Sequence, residues 1–382
     1  MAMHLGRFHA VVYDLKNHFE DADLTGALDE AVSSMTSYAS SRDESDLQRF
    51  KVAIQRAEKS SSIIDKDLLQ PFSQQVIREL NLEHLVNPAF SAALSEVVRS
   101  ANFDPHGLAS DLKKFSEVLV RKLELIEQLE RSMDKLGVEF ERVSEGESEL
   151  GFLIPRLVVG TKLGELSKEF DSINKLAKAI AELSGDSDEY EPDVRTIASS
   201  WWQVFLNLTP EQIGIWVLAI ERIINLFKTN LEIKNLSNQL QEKKLPDKIT
   251  KLIEDEVEKR VKTEIGKIAS DVRKKHGKNI DAARGNELET QLRQGLSHLA
   301  KRLNQGMQVE INISVPKEPD APAQKADGEI DQAIVKEIEA KKAEIAKLTE
   351  LRDRARAISV ETEHVGEDAP LLIESEDAPP DT

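Results

Sequence analysis

Residues 213–227 constrain the fold more than any other stretch, because their apolar side chains cover nearly every face of the helix that they predict. A helix that is apolar all round is normally buried all round. Thr209, Pro210 and Gln212 predict where it starts, since threonine can cap, proline fits the first helical position and glutamine can bond back as in a capping box. Beyond Lys228 the apolar residues thin to a stripe. The first half of this helix is therefore expected inside a core, and the second half against one neighbour.

The composition is typical of long helices and argues against several classes of function. Charged residues make up 31% of the chain, and the net charge is −18. A general nucleic-acid binder needs a basic face to neutralise phosphates, so no nucleic-acid partner is expected. Cysteine is absent, which excludes disulfides, thiol catalysis and cysteine-ligated metal. Together with a start that lacks the pattern of a signal peptide, this predicts a cytoplasmic location.

Long helices are expected to dominate the chain after a first region of short helices at 1–103. Asp104 and Pro105 open a helix whose apolar residues step by three and four up to residue 136, which resembles a coiled-coil seam. The bundle predicted at 104–315 would contain this helix. Further long helices are predicted at 163–184, 209–242, 247–276 and 287–304.

Three segments are predicted as strands, near 138–143, 150–156 and 309–315. The first and third alternate, and the second follows a turn at 144–148 and would complete a hairpin with the first. If the long helices run up and down through short connections, all three segments emerge at the same end. An isolated two-stranded hairpin is marginal in water, and a third strand would stabilise it. The sequence therefore predicts a mainly α fold: an elongated antiparallel helical bundle or coiled coil with a small three-stranded β-sheet at one end.

The C-terminal part changes composition. Residues 316–328 read as a linker, 329–358 as a charged coiled-coil-like helix, and 359–382 as a disordered acidic tail without Lys or Arg. Ile345 and Leu348 lie on the narrow apolar stripe of this helix. Such a helix usually buries its stripe against another helix, so these two residues are candidates for contact with a partner or with a second copy.

Motifs of enzyme chemistry are missing from the sequence. The eight histidines have no metal-ligand spacing, and neither a phosphate-binding loop nor a nucleophile elbow occurs. Carboxylates are too numerous for one pair to stand out as an acid and a base. A non-enzymatic protein is therefore expected, with no cofactor, no metal and no evident small-molecule substrate.

Other candidate contact residues lie near the predicted sheet. Trp201 and Trp202 are either a membrane-interface or partner contact, since tryptophan favours such places, or a cap on the core of the bundle. Arg156 follows the strand-ending proline and would pair with an acid, either of a ligand or of the chain itself.

A third set of candidates, Arg284, Asn286 and Glu287, lies at the start of a predicted helix. An arginine, an amide and an acid in this position would form either a binding site or a local structure in which Asn286 caps the helix.

Several short motifs, taken together, resemble a group of uncharacterised bacterial cytosolic proteins over roughly residues 105–315. In chain order they are the run 149–156, Lys168-Glu169, 182–185, Ser199-Ser200, the long amphipathic helix, the run 284–288, and Gly306 before a strand. The resemblance implies bacterial origin and a helical architecture, and it implies no activity. Trp201-Trp202 and the chain beyond Pro316 stand outside this pattern.

Two functional hypotheses follow. The first is a non-enzymatic bacterial interaction or scaffold protein that acts through helical surfaces, by binding a partner or by self-association. The alternative is a membrane-active helical effector that resembles pore-forming toxins in architecture, an analogy at the level of fold. Glu211 and Glu221 argue against insertion of the central helix. A role in stress or phage defence is compatible with either hypothesis.

Overall fold

The structure is a computed structural model. Within its described residues the chain is mainly helical, as expected, with one small antiparallel sheet. Its contacts divide it into an N-terminal unit, residues 3–142, and a C-terminal unit that starts at Val143. The described residues are 4–62, 66–86, 89–100, 104–160, 162–186, 190–198, 202–241, 247–317 and 332–365.

The N-terminal unit is helical throughout its regular elements. Asp23 and Arg42 have φ angles of 45° and 59°, and these left-handed residues separate its first three helices. The helices are α1 (Leu5–Ala22), α2 (Leu24–Ser41), α3 (Glu44–Ser62), α4 (Pro71–Glu79), α5 (Ala89–Ser100) and α6 (Pro105–Lys135), with 3-10 turns at Lys66–Leu69 and Glu83–Leu85.

The long helix α6 begins and ends close to its predicted bounds. Asp104 caps it, because its carboxylate accepts hydrogen bonds from the backbone N–H groups of His106 and Gly107 at 3.1 and 3.0 Å. Gly137, with φ of 71°, follows its last turn. The helix packs against α1, α2 and α5. It therefore belongs to the N-terminal unit, whose boundary follows Arg142 and not the predicted position at 103/104.

Residues 138–143 form no strand, which corrects the prediction of a strand there. The segment packs against α1 instead. The N–H of Glu141 donates to the carbonyl of Gly6 at 3.1 Å. The ring of Phe140 stacks on His9 with centroids 4.2 Å apart. The alternation that suggested a strand therefore belongs to an irregular segment whose consecutive residues 140, 141 and 142 all contact α1.

The C-terminal unit combines the sheet with the remaining helices. Its elements are β1 (Ser148–Ile154), α7 (Arg156–Val159), α8 (Leu163–Ser184), β2 (Asp193–Ala198), β3 (Trp202–Leu208), α9 (Pro210–Gln241), α10 (Asp247–His276), α11 (Ala282–Asn304), β4 (Gln308–Ile313) and α12 (Gln332–Val365).

The sheet has four strands in the order β2-β3-β1-β4, all antiparallel, so the prediction of three strands was wrong. The segment at 193–208 supplies the two unexpected strands, and β3 takes the place beside β1 that had been assigned to 138–143. Leu150 of β1 pairs with Leu206 on one side and with Ile311 on the other. The neighbouring positions of β1 and β4, expected from the direction of the helices, are confirmed.

The sheet and the apolar first half of α9 share one core. Trp216 is fully buried, and its ring meets the ring of Phe152 at 5.7 Å and 66°. The predicted capping box is confirmed: Thr209 Oγ1 accepts from the N–H of Gln212 at 3.3 Å, and the Gln212 side chain accepts from the N–H of Thr209 at 3.1 Å. The remaining fully buried apolar residues of this half are Ile213, Ile215, Val217, Ile220, Ile223 and Ile224.

The last helix, α12, continues to Val365 and so corrects the predicted start of a disordered tail at residue 359. Ser359 and Thr362 are fully buried and contact the backbone of β4. The predicted linker lies outside the described residues from 318 onward, and so does the predicted tail from 366 onward.

Candidate functional site

Trp202 organises a turn at one end of the sheet. It is the first residue of β3 and pairs with Ile154 at the end of β1. Its indole N–H donates to the carbonyl of Gly160 at 3.2 Å, and the guanidinium of Arg156 lies 5.4 Å from the centre of its ring. This distance is typical of a cation–π contact. Among the described residues Arg156 contacts this aromatic ring, and its predicted pairing with an acid stays a prediction. Trp201 lies outside the described residues.

The turn itself exposes two leucines. Leu157 of α7 is 100% exposed, and Leu163 at the start of α8 is 81% exposed. Lys162 is exposed as well. Val159, between the leucines, is buried in the core. We call Arg156, Leu157, Lys162, Leu163 and Trp202 the turn patch.

A buried ion cluster lies next to this turn. Glu169 of α8 is 2% exposed, and Arg302 of α11 binds its carboxylate through Nε and Nη2 at 2.9 and 2.7 Å. His298 Nε2 lies 2.9 Å from the same carboxylate. Burial raises the pKa of Glu169, but the hydrogen bonds and charges of His298 and Arg302 outweigh burial and lower it. The carboxylate is therefore held in its charged form.

Arg302 connects this cluster to the turn. Its Nη1 donates to the carbonyl of Val158 at 3.4 Å and to the side chain of Gln305 at 2.8 Å. The turn is thus held by Arg302 on one side and by Trp202 on the other.

The Arg284 candidate forms a second ion pair between the same two helices. Its Nε and Nη2 donate to both oxygens of Glu182 at 2.7 and 2.6 Å, and its Nη1 lies 2.7 Å from Glu287. These hydrogen bonds raise the pKa of Arg284. Asp281, which accepts from the N–H of Arg284 at 3.1 Å, caps the helix. Asn286 is exposed in the second turn of α11, so the alternative of Asn286 as the cap is wrong.

A groove of about 480 Å³ lies between α8 and α11, bordered by both ion clusters. The helices approach closely at its floor, where a Cβ on Gly295 would lie 2.8 Å from the Cβ of Leu176. Its lysines pair within the chain, Lys175 with Asp171 and Lys178 with Glu191. This arrangement is typical of a helix contact stabilised by ion pairs, and it differs from an open ligand site. Polar residues along the groove include Ser172, Tyr190, Gln291 and Gln294.

Ile345 and Leu348, the α12 candidates, are half-buried, while most side chains described between residues 339 and 347 are exposed. The structure does not bring them to the turn patch or the groove. Three groups of predicted residues therefore lie in three places: Arg156 with Trp202, Arg284 with Glu287, and Ile345 with Leu348.

Residues that were not predicted as site residues complete these places. Glu169, named above only within the motif Lys168-Glu169, interrupts the apolar stripe of α8 in the sequence, and the structure shows it buried. His298 and Arg302 are four residues apart on α11, a spacing that places them on one face. For Leu157 and Leu163 the sequence offered only an apolar residue on each side of Gly160.

Neither a protein-family model, a curated protein nor a solved structure matches this chain. Among the described helices, none is both long and apolar enough to cross a membrane. The described part of the chain also contains no group of three His, Asp or Glu side chains placed to hold a metal ion. Function must therefore be inferred from the geometry of the chain itself.

Proposed function

We propose that this chain is a non-enzymatic bacterial interaction or scaffold protein, which acts in the cytoplasm by presenting α12 to a helical partner or to a second copy of itself. The observation that carries the proposal is the division of α12 into an anchored half and an exposed half. Bacterial origin is supported by the resemblance of residues 105–315 to bacterial cytosolic helical proteins.

The C-terminal half of α12 is anchored within the chain. Ala355 and Ile358 are buried in the same core as α9. Arg354 pairs with Glu221 of α9 at 2.5 Å. Lys228 pairs with Glu361 at 2.8 Å, seven residues further along both helices. The two helices therefore run in the same direction, and this half of α12 has a fixed position.

The first residues of α12, 332–342, extend past the start of α9. Counting back along both helices from the Arg354–Glu221 pair, Ala343 lies level with Pro210, where α9 begins. Residues 339–344 are all exposed, which agrees with this register. An anchored helix that continues beyond its own core is well placed to meet another helix.

The apolar residues around this point share one face. In the same register Ile345 and Leu348 lie level with the first two turns of α9, and Ile338 lies beyond its start. Ile338, Ile345 and Leu348 are spaced by seven and three residues and are all half-buried. This spacing is that of a coiled-coil seam or of a helix that lies in an apolar groove. The charged residues around it are of both signs, Lys336, Glu339, Lys342, Glu344 and Lys347 among them.

The test compares the full-length protein with the double variant Ile345→Asp, Leu348→Asp. A matched control places the same charges at the same spacing on exposed positions, Ala343→Asp with Ala346→Asp. We expect wild type and control to show the same oligomeric mass by light scattering and the same captured protein in native-expression affinity purification. The double variant at Ile345 and Leu348, the stripe variant, should show a lower oligomeric mass or should no longer capture the partner protein.

If the stripe variant keeps the oligomeric mass and the captured protein of the wild type, α12 has no recruiting role and the proposal fails. Urea unfolding of each variant shows whether the anchored half has remained in place, since loss of anchoring would lower the free energy of unfolding.

The elongated antiparallel bundle remains part of the proposal for helices α8 to α11. It is supported by the ion pairs between α8 and α11, in which Glu182 meets Arg284 and Glu169 meets Arg302, so that these two helices run in opposite directions. The parallel α9–α12 pair would lie beside this bundle.

Membrane insertion of α9, the alternative, has less support. Its apolar half is buried in the core with Trp216 at the centre, so insertion would require that core to open. Release of a dye from liposomes at acidic or neutral pH would favour this alternative.

A further inference from the structure

We propose that the turn patch attaches the folded protein peripherally to an anionic lipid surface. This goes beyond the proposed recruitment by α12, because it concerns a different surface and a different kind of partner. It requires no membrane-spanning helix and no opening of the core.

The first support is the exposure of two leucines on a short, fixed turn. Leucine is among the residues most often buried, yet Leu157 and Leu163 are 100% and 81% exposed. Hydrogen bonds from Trp202 to Gly160 and from Arg302 to Val158 hold the turn. Leu157 thus lies in a segment whose backbone is bonded at Val158 and Gly160, and Leu163 is the first residue of α8. Both can enter the interfacial layer of a bilayer without opening of the core.

The second support is charge. Each exposed leucine directly follows a cation, Arg156 before Leu157 and Lys162 before Leu163, and residues 156–163 contain no acid. Lys162 pairs with Glu165 at 3.8 Å, and Arg156 lies over the ring of Trp202. Residues 156–165 therefore carry two cations and one acid, a small positive excess in a chain of net charge −18. Paired cations and apolar side chains match the negative headgroups and the acyl boundary of an anionic membrane.

A lipid surface fits the size of the patch better than a protein does. A stable protein interface takes roughly 20–30 residues a side. A bilayer needs only a few inserted apolar side chains with cations beside them, and an indole at the base suits the interface between water and lipid. With two leucines and two cations, the attachment would be weak and reversible.

The experiment measures co-sedimentation of the full-length protein with two kinds of vesicle, phosphatidylcholine alone and phosphatidylcholine mixed with phosphatidylglycerol. We expect binding to the anionic vesicles, weakened by added salt. Leu157→Ser with Leu163→Ser should lower this binding about tenfold or more, because each leucine loses its transfer into lipid. Arg156→Gln with Lys162→Gln should lower binding to anionic vesicles and remove its dependence on salt.

The chain offers matched controls. Leu136 of the N-terminal unit is 80% exposed, so Leu136→Ser removes an equally exposed leucine elsewhere. Lys175 is also exposed, and Lys175→Gln removes a cation that pairs with Asp171. Both variants should bind vesicles as the wild type does. Circular dichroism verifies that the exposed substitutions leave the fold intact.

Two results would overturn the inference. One is the absence of binding to anionic vesicles, or equal binding by wild type and the leucine variant. The other is a leucine variant that changes oligomeric mass while no form of the protein binds vesicles, which would make the patch a protein contact. The α12 stripe variant should bind vesicles normally, so failure of the recruitment proposal is distinguishable from failure here.

Discussion

Thr362 Oγ1 lies 3.0 Å from the backbone nitrogen of Val309, so a side chain of the last helix takes the place of a neighbouring strand at the edge of the sheet. Ser359 Oγ accepts from the N–H of Ile311 in the same way, also at 3.0 Å. Each hydroxyl donates its own proton to a carbonyl of α12, Thr362 to Ser359 and Ser359 to Ala355. Each hydroxyl thus both accepts and donates a hydrogen bond, and two backbone N–H groups of the edge strand β4 have an acceptor.

We expect Thr362→Val to destabilise the protein by about 1–3 kcal/mol. Valine keeps the shape of threonine but leaves the N–H of Val309 buried without an acceptor. Urea unfolding would measure the loss, and hydrogen exchange should be faster at the amides of Val309 and Ile311.

Thr349→Val is the matched control on the same helix. Thr349 Oγ1 bonds only to the carbonyl of Ile345 within α12, so its replacement should change stability by less than about 0.5 kcal/mol. Equal effects at both positions would show that the hydroxyl of Thr362 does not stabilise the sheet edge.

The helices were predictable where a long apolar stripe met a clear start or stop. The stripe of α8 ends at Gly185, which has φ of 102° as a helix-ending glycine should. The start of α9 followed from Thr209, Pro210 and Gln212. These signals are local, so one sequence suffices to find them.

The hairpin of β2 and β3 was not predictable from alternation. Val204, Phe205 and Leu206 are consecutive and all buried, because both faces of β3 are covered. A strand buried on both faces reads as a continuous apolar run, which cannot be distinguished from a helix by period alone. Residues 138–143 alternate without being a strand, since this segment takes its contacts from α1 and not from a neighbouring strand.

The ion clusters could not be predicted from a single sequence for another reason. Glu182 meets Arg284, and Glu169 meets Arg302, across separations that only the packing of α8 on α11 determines. The residues were visible as isolated charges. Arg284 and Glu287 were predicted as candidates, but the pairing of Arg284 with Glu182 on α8 was not.

We expect Glu169→Gln to destabilise the protein at neutral pH by about 2–3 kcal/mol, because Arg302, whose side chain is 16% exposed, would lose its counter-charge. Since folding lowers the pKa of Glu169 from its ordinary value of 4.5, its ionisation stabilises the folded state above that pH. This stability is lost as pH falls from there through the folded pKa. The difference between wild type and variant should therefore shrink in acid, as measured by urea unfolding at a series of pH values.

Asp171→Asn is the control for that experiment. Asp171 pairs with Lys175 on the exposed side of the same helix, and exposed pairs contribute about 0–1 kcal/mol. A pH-independent difference for Glu169→Gln would contradict the assignment of a lowered pKa in the folded state.

The capping box of α9 gives a prediction with a built-in rescue. Thr209→Ala should cost about 1 kcal/mol, because the N–H of Gln212 loses its acceptor at the start of a buried helix. Thr209→Ser keeps the hydroxyl and should recover most of the loss. Thermal unfolding of the three proteins would measure this order, and equal values for Ala and Ser would show that the hydroxyl does not cap.

Two glycine substitutions should act in opposite directions. At Gly151 of β1 a Cβ would lie 2.3 Å from the ring of Phe205, which is fully buried, so Gly151→Ala forces the ring to move. We expect a loss of about 1–3 kcal/mol, the usual cost of overpacking.

At Gly214 of α9 a Cβ would meet no atom within 4 Å, and Gly214→Ala should stabilise the helix by up to about 1 kcal/mol. Urea unfolding would measure the expected decrease in the free energy of unfolding for Gly151→Ala and the expected increase for Gly214→Ala. The double variant Gly151→Ala, Phe205→Leu should lose less free energy of unfolding than the two single variants combined, because leucine is smaller than phenylalanine and leaves room for the methyl group. If the two losses simply add, the methyl group does not contact the ring of Phe205.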